Sequence, residues 1–540
     1  MIKLRRVLSL IFLVTVLFAF LQCARRGSPT GGPKDEIPPV LIKAEPENLS
    51  TEFNNTKISL TFDEYVRLED IQNQLIVSPP LKYNPQISPQ GAASKVIEII
   101  IKDTLKENTT YTLNFGESIV DNNEGNPNRF LSYVFSTGTY IDSLEVSGVV
   151  KDAFNREEDD FISVMLYEID STYNDSTVYL RPPNYITNTL DSTNIFTLKY
   201  LKAGSYAMIA VKDNNKNNIF DQAEDKIGFI KDTVVLPADT VYLLNLFKEI
   251  PDYKVPLPSY AAANKIIFGY YGGDEIIDIT PLSILPDTIE TLIAKMPEKD
   301  TLNFWFTPFE VDSLVFEVAN EKEKVRDTFT VKTRKLLSDS LMLYPSSRQK
   351  LNLQDNFSIA ANIPIKSVDS SKVILFNKDT LDVPFKLRLD TLKNSLQFDF
   401  EKEANEIYSL VLYPEVLRDF FNNTNDTVAY RLRTDGLADY GNLRFNLEGD
   451  LSYPMIIQLT DKDGKLYREV YLTEGTLADF NTLDPDEYYI RIIFDANLNK
   501  KWDTGNYLQK KQPEVVIYYP TIIEVRANWE LEQTFTISNN

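Results

Sequence analysis

Twelve residues of this chain, Asp213 to Glu224, set side-chain oxygens at the spacing a cation-binding loop requires. Asp213, Asn215, Asn217, Asp221 and Glu224 stand at positions 1, 3, 5, 9 and 12, where short carboxylates and amides wrap Ca²⁺ and a final Glu supplies two oxygens. Asn218 takes the place where glycine is usual, and Asn is among the residues most tolerant of left-handed backbone. A related loop begins at Asp495, with Asn497, Asn499 and Asp503 in step, but Asn506 ends it and Lys500 and Lys501 lie inside it. The same spacing also describes an Asx-rich connection whose side chains bond their own backbone, with Phe220 and Trp502 as core plugs. Both readings are open for the first loop, and the second is the poorer cation site.

Little else in the chain is equipped for chemistry. There is no histidine, which removes the usual general base, the serine triad and the commonest zinc ligand together. Carboxylate-only or lysine-based chemistry would remain, and Tyr270-Tyr271-Gly272-Gly273-Asp274-Glu275 is the one stretch that combines aromatic rings with paired carboxylates as a glycan site would. That stretch reads equally as a hairpin turn with edge aromatics. No catalytic residue is assigned, and the chain is not expected to be an enzyme. With 56 basic and 78 acidic residues the formal charge is −22, a field that repels phosphate backbones and argues against nucleic-acid partners.

The single cysteine rules out an intrachain disulfide and sits in a telling place. Lys3, Arg5 and Arg6 precede an apolar run from Val7 to Leu21, too short for a permanent membrane span, and Cys23 follows at once. Phe20-Leu21-Gln22-Cys23 resembles the lipobox of bacterial lipoproteins, with Gln and Phe where that motif prefers a small residue and Leu. The resemblance implies removal of residues 1–22, lipid on Cys23, and a flexible tether over 23–37, with anchoring in the outer membrane. Cleavage would take three cations with it and leave the mature chain near −25.

The elements that must hold these residues read as strands. Gly is scarce at 19 while Tyr and Phe number 29 and 31, and rings of that kind suit half-buried pleated surfaces. Alternating segments such as Lys57-Ile58-Ser59-Leu60-Thr61-Phe62 recur between turn residues, and 540 residues exceed what one core organises. An all-β chain of tandem β-sandwich modules is the expectation.

The modules are also written twice. Tyr111-Thr112-Leu113 and Thr137-Gly138 return as Tyr408-Ser409-Leu410 and Thr434-Asp435-Gly436, with Tyr111 to Tyr408 and Thr137 to Thr434 both 297 residues. Pro38-Pro39-Val40, Phe62-Asp63-Glu64, Asp121 to Asn126 and Phe135-Ser136-Thr137-Gly138 resemble the bacterial Ig-like domain of surface-layer proteins (the SbsA type). That family implies a β-sandwich used for spacing and adhesion. Leu201-Lys202-Ala203-Gly204-Ser205-Tyr206 and Leu483-Asp484-Pro485-Asp486-Glu487-Tyr488 precede the two Asp/Asn loops, and are similar to the carboxypeptidase-regulatory-like (transthyretin-like) sandwiches of envelope proteins. The expected order is Ig-like (38–139), transthyretin-like (140–250), an unassigned β module (251–336), Ig-like (337–436) and transthyretin-like (437–540).

One tripeptide is over-represented. Asp, then Ser or Thr, then Leu, Ile or Val occurs eleven times, from Asp103-Thr104-Leu105 to Asp426-Thr427-Val428, where composition predicts roughly two or three. Many strands begin this way, with a turn Asp before a β-branched and an apolar residue. The triplet also resembles the acceptor motif of an O-glycosylation system that modifies envelope proteins of some Gram-negative bacteria. The expected role is that of a lipid-anchored envelope protein with a structural, adhesive or protein-interaction function, its partner an envelope protein or a glycan. Carbohydrate binding or carboxylate-dependent glycan processing is the alternative.

Overall fold

The computed structural model describes residues 35–129, 131–189, 193–272, 277–296 and 299–538, so Cys23 and the leader lie outside the described residues. The chain forms two compact units, Met1–Ser143 and Leu144–Asn540. Both are built almost wholly of strands, as the composition requires.

In the first unit the alternation of Lys57–Leu68 decides the layering. Ile58, Leu60 and Phe62 point into the core while their neighbours face outward. The strand pairs antiparallel with Ser94–Ile100, Ile58 opposite Ile99 and Leu60 opposite Ile97. Leu41–Glu45, Gln86–Ser88 and Ile119–Asp121 complete that sheet. Ile76–Ser78, Thr110–Asn114 and Ser132–Ser136 form the facing one, and Tyr111, Leu113, Tyr133 and Phe135 close the core between them.

The second unit holds four further two-sheet sandwiches, each with its own core. They are called second to fifth here, in chain order. The fourth repeats the first: Leu343–Pro345, Phe357–Ala361, Ser395–Asp399 and Lys386–Asp390 in one sheet, Val373–Phe376, Ile407–Leu412 and Val428–Arg433 in the other. The fifth repeats the second. In the second, Ile195–Leu201, Leu144–Asp152 and Val241–Leu246 face Tyr185–Asn188, Ser163–Glu168, Gly204–Lys212 and Lys226–Phe229. In the fifth, Leu477–Leu483, Gly441–Gly449 and Glu530–Ile537 face Leu466–Leu472, Met455–Thr460, Asp486–Phe494 and Val516–Tyr518. Even the parallel pairing of the first and last strands is common to both.

Side-chain bonds repeat with the strands. The Tyr111 hydroxyl accepts the Lys106 N–H at 2.8 Å, and the Tyr408 hydroxyl accepts the Glu403 N–H at 2.7 Å. Thr137 Oγ1 accepts the Thr109 N–H and donates to the Lys106 carbonyl, as Thr434 Oγ1 does with Glu406 and Glu403. The repeated Tyr and Thr of the sequence are thus the pins of one corner, made twice.

The third sandwich breaks the strand alternation in an informative way. Along Thr301–Phe306, Leu302, Phe304 and Phe306 enter its core, yet Trp305 on the opposite face is only 1% exposed. Ile363, Phe420 and Phe421 of the fourth sandwich cover it. Lys366 to Glu290 at 2.6 Å and Lys265 to Asp339 at 2.7 Å flank this contact.

Removing either corner hydroxyl leaves a part-buried backbone N–H without its acceptor, a loss of about 1–3 kcal/mol. Tyr111→Phe and Tyr408→Phe should therefore each lower stability by that amount in denaturant titrations, with equal effects. A neutral result at either would show that water replaces the hydroxyl.

Candidate functional site

The two Asp/Asn loops fold alike and serve different ends. In the second sandwich the Asp213 carboxylate accepts the Asn218 N–H at 2.6 Å and the Asn217 N–H at 3.3 Å. In the fifth, Asp495 accepts those of Lys500 at 2.9 Å and Asn499 at 3.1 Å. Asn217 and Asn499 each cap the N–H two residues on, at 2.8 Å in both. Every one of these bonds is displaced by 282 residues between copies.

Of the five residues with cation-loop spacing, Asp213, Asn217 and Asp221 thus accept N–H groups of their own loop. Asn215 and Glu224 stand exposed. The polar centre is Asp225, one residue past the loop and 0% exposed, whose two oxygens take the Asn214 and Asp221 N–H groups at 2.9 Å each. Burial raises its pKa against those two bonds, with the Asp213 and Asp221 carboxylates adding to the rise. Among the described residues no group of three or more Asp, Glu, His or Cys is arranged to hold a metal ion. Phe220 is buried beside Tyr179, as expected of a plug, whereas Trp502 packs at 4.6 Å on Phe154 of the second sandwich instead of its own core.

Glu514 does in the fifth sandwich what Asp225 does in the second: its two oxygens accept the Ala496 and Asp503 N–H groups at 2.7 and 3.0 Å. Asp225 follows Asp221 by four residues, while Glu514 follows Asp503 by eleven. Seven residues longer than its counterpart, the connection 504–513 makes an excursion closed at its tip by reciprocal backbone bonds between Asn506 and Lys511. The longer side chain of Glu514 clamps its base.

That excursion docks on the second sandwich. Tyr507 is 1% exposed, packed among Tyr179 and Phe229 and sharing a hydrogen bond with the Tyr173 hydroxyl at 3.1 Å. Its backbone N–H donates to Glu249, a carboxylate only 2% exposed that also accepts from Gln222 Nε2 at 2.8 Å. Thr504 donates to the Lys248 carbonyl at 2.6 Å and Gln512 to that of Phe229 at 2.9 Å. Lys510 pairs with Asp175 at 2.6 Å and lies 4.1 Å from the Tyr507 ring. Nearby, Arg491 stacks on Phe154 at 4.1 Å and Arg156 on Tyr489 at 4.5 Å.

The seam closes a circuit of contacts within Leu144–Asn540. Linker residues 251–255 pack into the third sandwich, with Val255 in its core. The third meets the fourth at Trp305. The fourth meets the fifth through Lys350 to Asp484 at 2.6 Å, Arg468 to Asp355 at 3.0 Å and the Asn352 amide on the Thr482 carbonyl at 2.9 Å. The fifth returns to the second at Tyr507.

Beside the seam lies a cleft of about 320 Å³, lined from the second sandwich by Arg156, Asp159 and Lys226 and from the fifth by Lys462, Tyr489 and Tyr518. Lys226 is held by Asp152 and Asp159 at 2.7 and 2.6 Å; burial opposes its charge, but those two carboxylates raise its pKa. Lys226 thus stands in the cleft wall with its charge already paired. In the third sandwich Tyr270 is core, and Gly272, at φ 67°, turns so close to the Pro251 carbonyl that a Cβ would clash. The Gly273-Asp274-Glu275 part of that stretch lies outside the described residues.

The bacterial Ig-like domain family matches residues 35–137, the first sandwich. No curated protein is significantly similar to the chain. Among solved structures, domains 1–6 of the surface-layer protein SbsC align at 9% identity and TM-score 0.14, covering 86% of this chain and 66% of that one. The Bacillus cereus major pilin subunit BcpA aligns at 9% identity and TM-score 0.15, with 74% and 100% covered. A biofilm-associated protein domain aligns at 10% identity and TM-score 0.15, with 88% and 97% covered. The global superpositions are poor, and the match of the first sandwich rests on the family alone. This chain spans about two thirds of the surface-layer segment.

Tyr507→Ala removes a buried ring, a change worth about 3–5 kcal/mol in well-packed sites. Leu508→Ala, one residue along and 51% exposed, should leave denaturant midpoints unchanged. Equal behaviour of the two variants would mean the seam is open in solution.

Burial raises the Glu249 pKa above its ordinary 4.5, while the Tyr507 and Gln222 bonds oppose the rise and Asp252 adds to it. The folded state then holds this proton more tightly than the unfolded chain. Its contribution is complete below about pH 4.5 and is lost as pH climbs through the raised value. Melting temperatures of wild type minus Glu249→Gln should fall across that rise, and a flat difference from pH 4 to 8 would show no such coupling.

Proposed function

We propose that this chain is a lipid-anchored protein of the outer membrane that works without catalysis, as a structural or adhesive platform for an envelope protein or glycan. The observation that carries the reading is the Tyr507 seam. Four sandwiches joined only end to end would keep independent motion, because linkers and small interfaces leave domains free to move. A fourth interface between non-adjacent sandwiches removes that freedom and fixes several surfaces in one geometry, as a partner-binding platform requires. The match of residues 35–137 to a bacterial Ig-like domain agrees with a bacterial, modular protein.

The anchor reading rests on the leader and on Cys23. Acyl chains on that cysteine would contribute roughly 0.8 kcal/mol per buried CH₂, so two or three chains hold a protein stably at a bilayer. The acidic surface keeps such a protein from nonspecific association with phosphate-rich polymers.

Two measurements test this reading. Cys23→Ser should move the protein from the membrane to the soluble fraction of its native cells, and undiminished membrane retention would sink the anchor. Crosslinked affinity purification from those membranes should recover a partner with the wild type and lose it when Tyr507→Ala opens the seam. A partner retained by the open variant would sink the platform.

A further inference from the structure

The eleven Asp-Ser/Thr-apolar triplets divide once the fold is known. Where the triplet opens a strand for packing reasons, its third residue enters a core: Val234 is 1% exposed, Leu302 3% and Leu314 1%. Strand initiation explains those sequences fully. Core burial does not explain three others, whose third residues stand in solvent: Val241, which opens a strand, is 72% exposed, Leu381 62% and Leu392 64%.

In each of the three the Thr is exposed as well. Thr240 precedes Val241–Leu246, in which Leu244 and Leu246 face the core and Val241 therefore faces away. Thr380 sits at φ 62° in a turn held by the Asn377 side chain, which accepts the Asp379 and Leu381 N–H groups. Thr391 is at the tip between Lys386–Asp390 and Ser395–Asp399, where Asp390 accepts the Leu392 and Lys393 N–H groups. Turn tips such as those at Thr380 and Thr391 ordinarily carry polar residues or glycine. An aliphatic side chain there buries nothing, and it recurs beside the same carboxylate and hydroxyl.

We propose that Thr240, Thr380 and Thr391 are O-glycosylation sites. A carboxylate, a hydroxyl and an aliphatic group in fixed order on an exposed segment form a three-part epitope: a charge for a cationic subsite, a nucleophile, and an apolar anchor. In the transfer, Thr Oγ bonds to the anomeric carbon of a sugar carried on a lipid diphosphate. The bond from that carbon to the diphosphate breaks with its electron pair, and the hydroxyl proton passes to a base of the transferase. The proposal rests on the envelope reading above, since it places the chain where such a transferase works.

The experiment is peptide mass spectrometry, with fragmentation that keeps glycans attached, on the full chain purified from fractionated native cells. Peptides spanning Thr240, Thr380 and Thr391 should carry sugar masses. Thr→Ala at each position, and Asp239→Asn or Asp379→Asn beside the first two, should abolish the modification at that site while circular dichroism stays unchanged. Bare peptides from envelope-fraction protein would overturn the proposal and leave the envelope reading standing. So would phosphate in place of sugar, or sugar confined to Thr233, Thr301 and Ser313. Protein recovered from the cytoplasm would overturn both.

Discussion

Tyr507 belongs to the fifth sandwich by sequence and to the second by packing, and the geometry of Leu144–Asn540 depends on that exchange. A ring that is 1% exposed, with its N–H on a buried carboxylate, can be satisfied only when the two sandwiches meet. Around it the ion pairs are partly solvated, and pairs of that kind contribute about 0–1 kcal/mol each. Aromatic burial supplies the attraction, and the polar rim sets the register. Because the chain itself holds the partners near one another, the closing contact forms at high effective concentration and needs less area than an association between free proteins.

The repeated sandwiches show which parts of a β fold are fixed by local geometry. The Tyr and Thr corner pins and the Asx turns recur atom for atom at offsets of 297 and 282 residues. Each satisfies backbone groups that would otherwise be stranded at a bend. The residues between those points have diverged toward different neighbours. Asp225 closes its loop directly, while Glu514, one methylene longer, closes the same loop around an insertion. A turn rigid enough to need nothing from outside is a sound base for an excursion that reaches another sandwich.

The all-β class, the tandem plan and the duplication were legible in the sequence because they rest on local rules. Side chains alternate with period two along a strand, turn residues punctuate it, and spacing between repeated motifs survives in the numbering. The positions of Phe220 in a buried site and of Tyr111 and Tyr408 at a strand entry were readable on the same grounds. The polar loops were legible as loops; their spacing fits Ca²⁺ and an Asx turn equally well, and a string of residue types holds nothing to show which groups an oxygen meets. Setting the two loops in register at Asp213 and Asp495 would have exposed the seven-residue insertion, the one signal in the sequence of what the second loop carries.

What the sequence by itself determined is therefore the inventory: strands, their inward faces, the corner pins, the lone cysteine behind an apolar run, and the absence of histidine. Tertiary structure alone decided where the outward faces go. Trp305, Trp502 and Tyr507 all read as ordinary members of their own modules, yet each packs on another sandwich. It likewise separated the triplets whose apolar residue enters a core from those that leave it in water. The reason is physical: periodicity encodes the face a residue presents within its own sheet, whereas burial against a distant module depends on how whole sandwiches dock, and no local pattern carries that information.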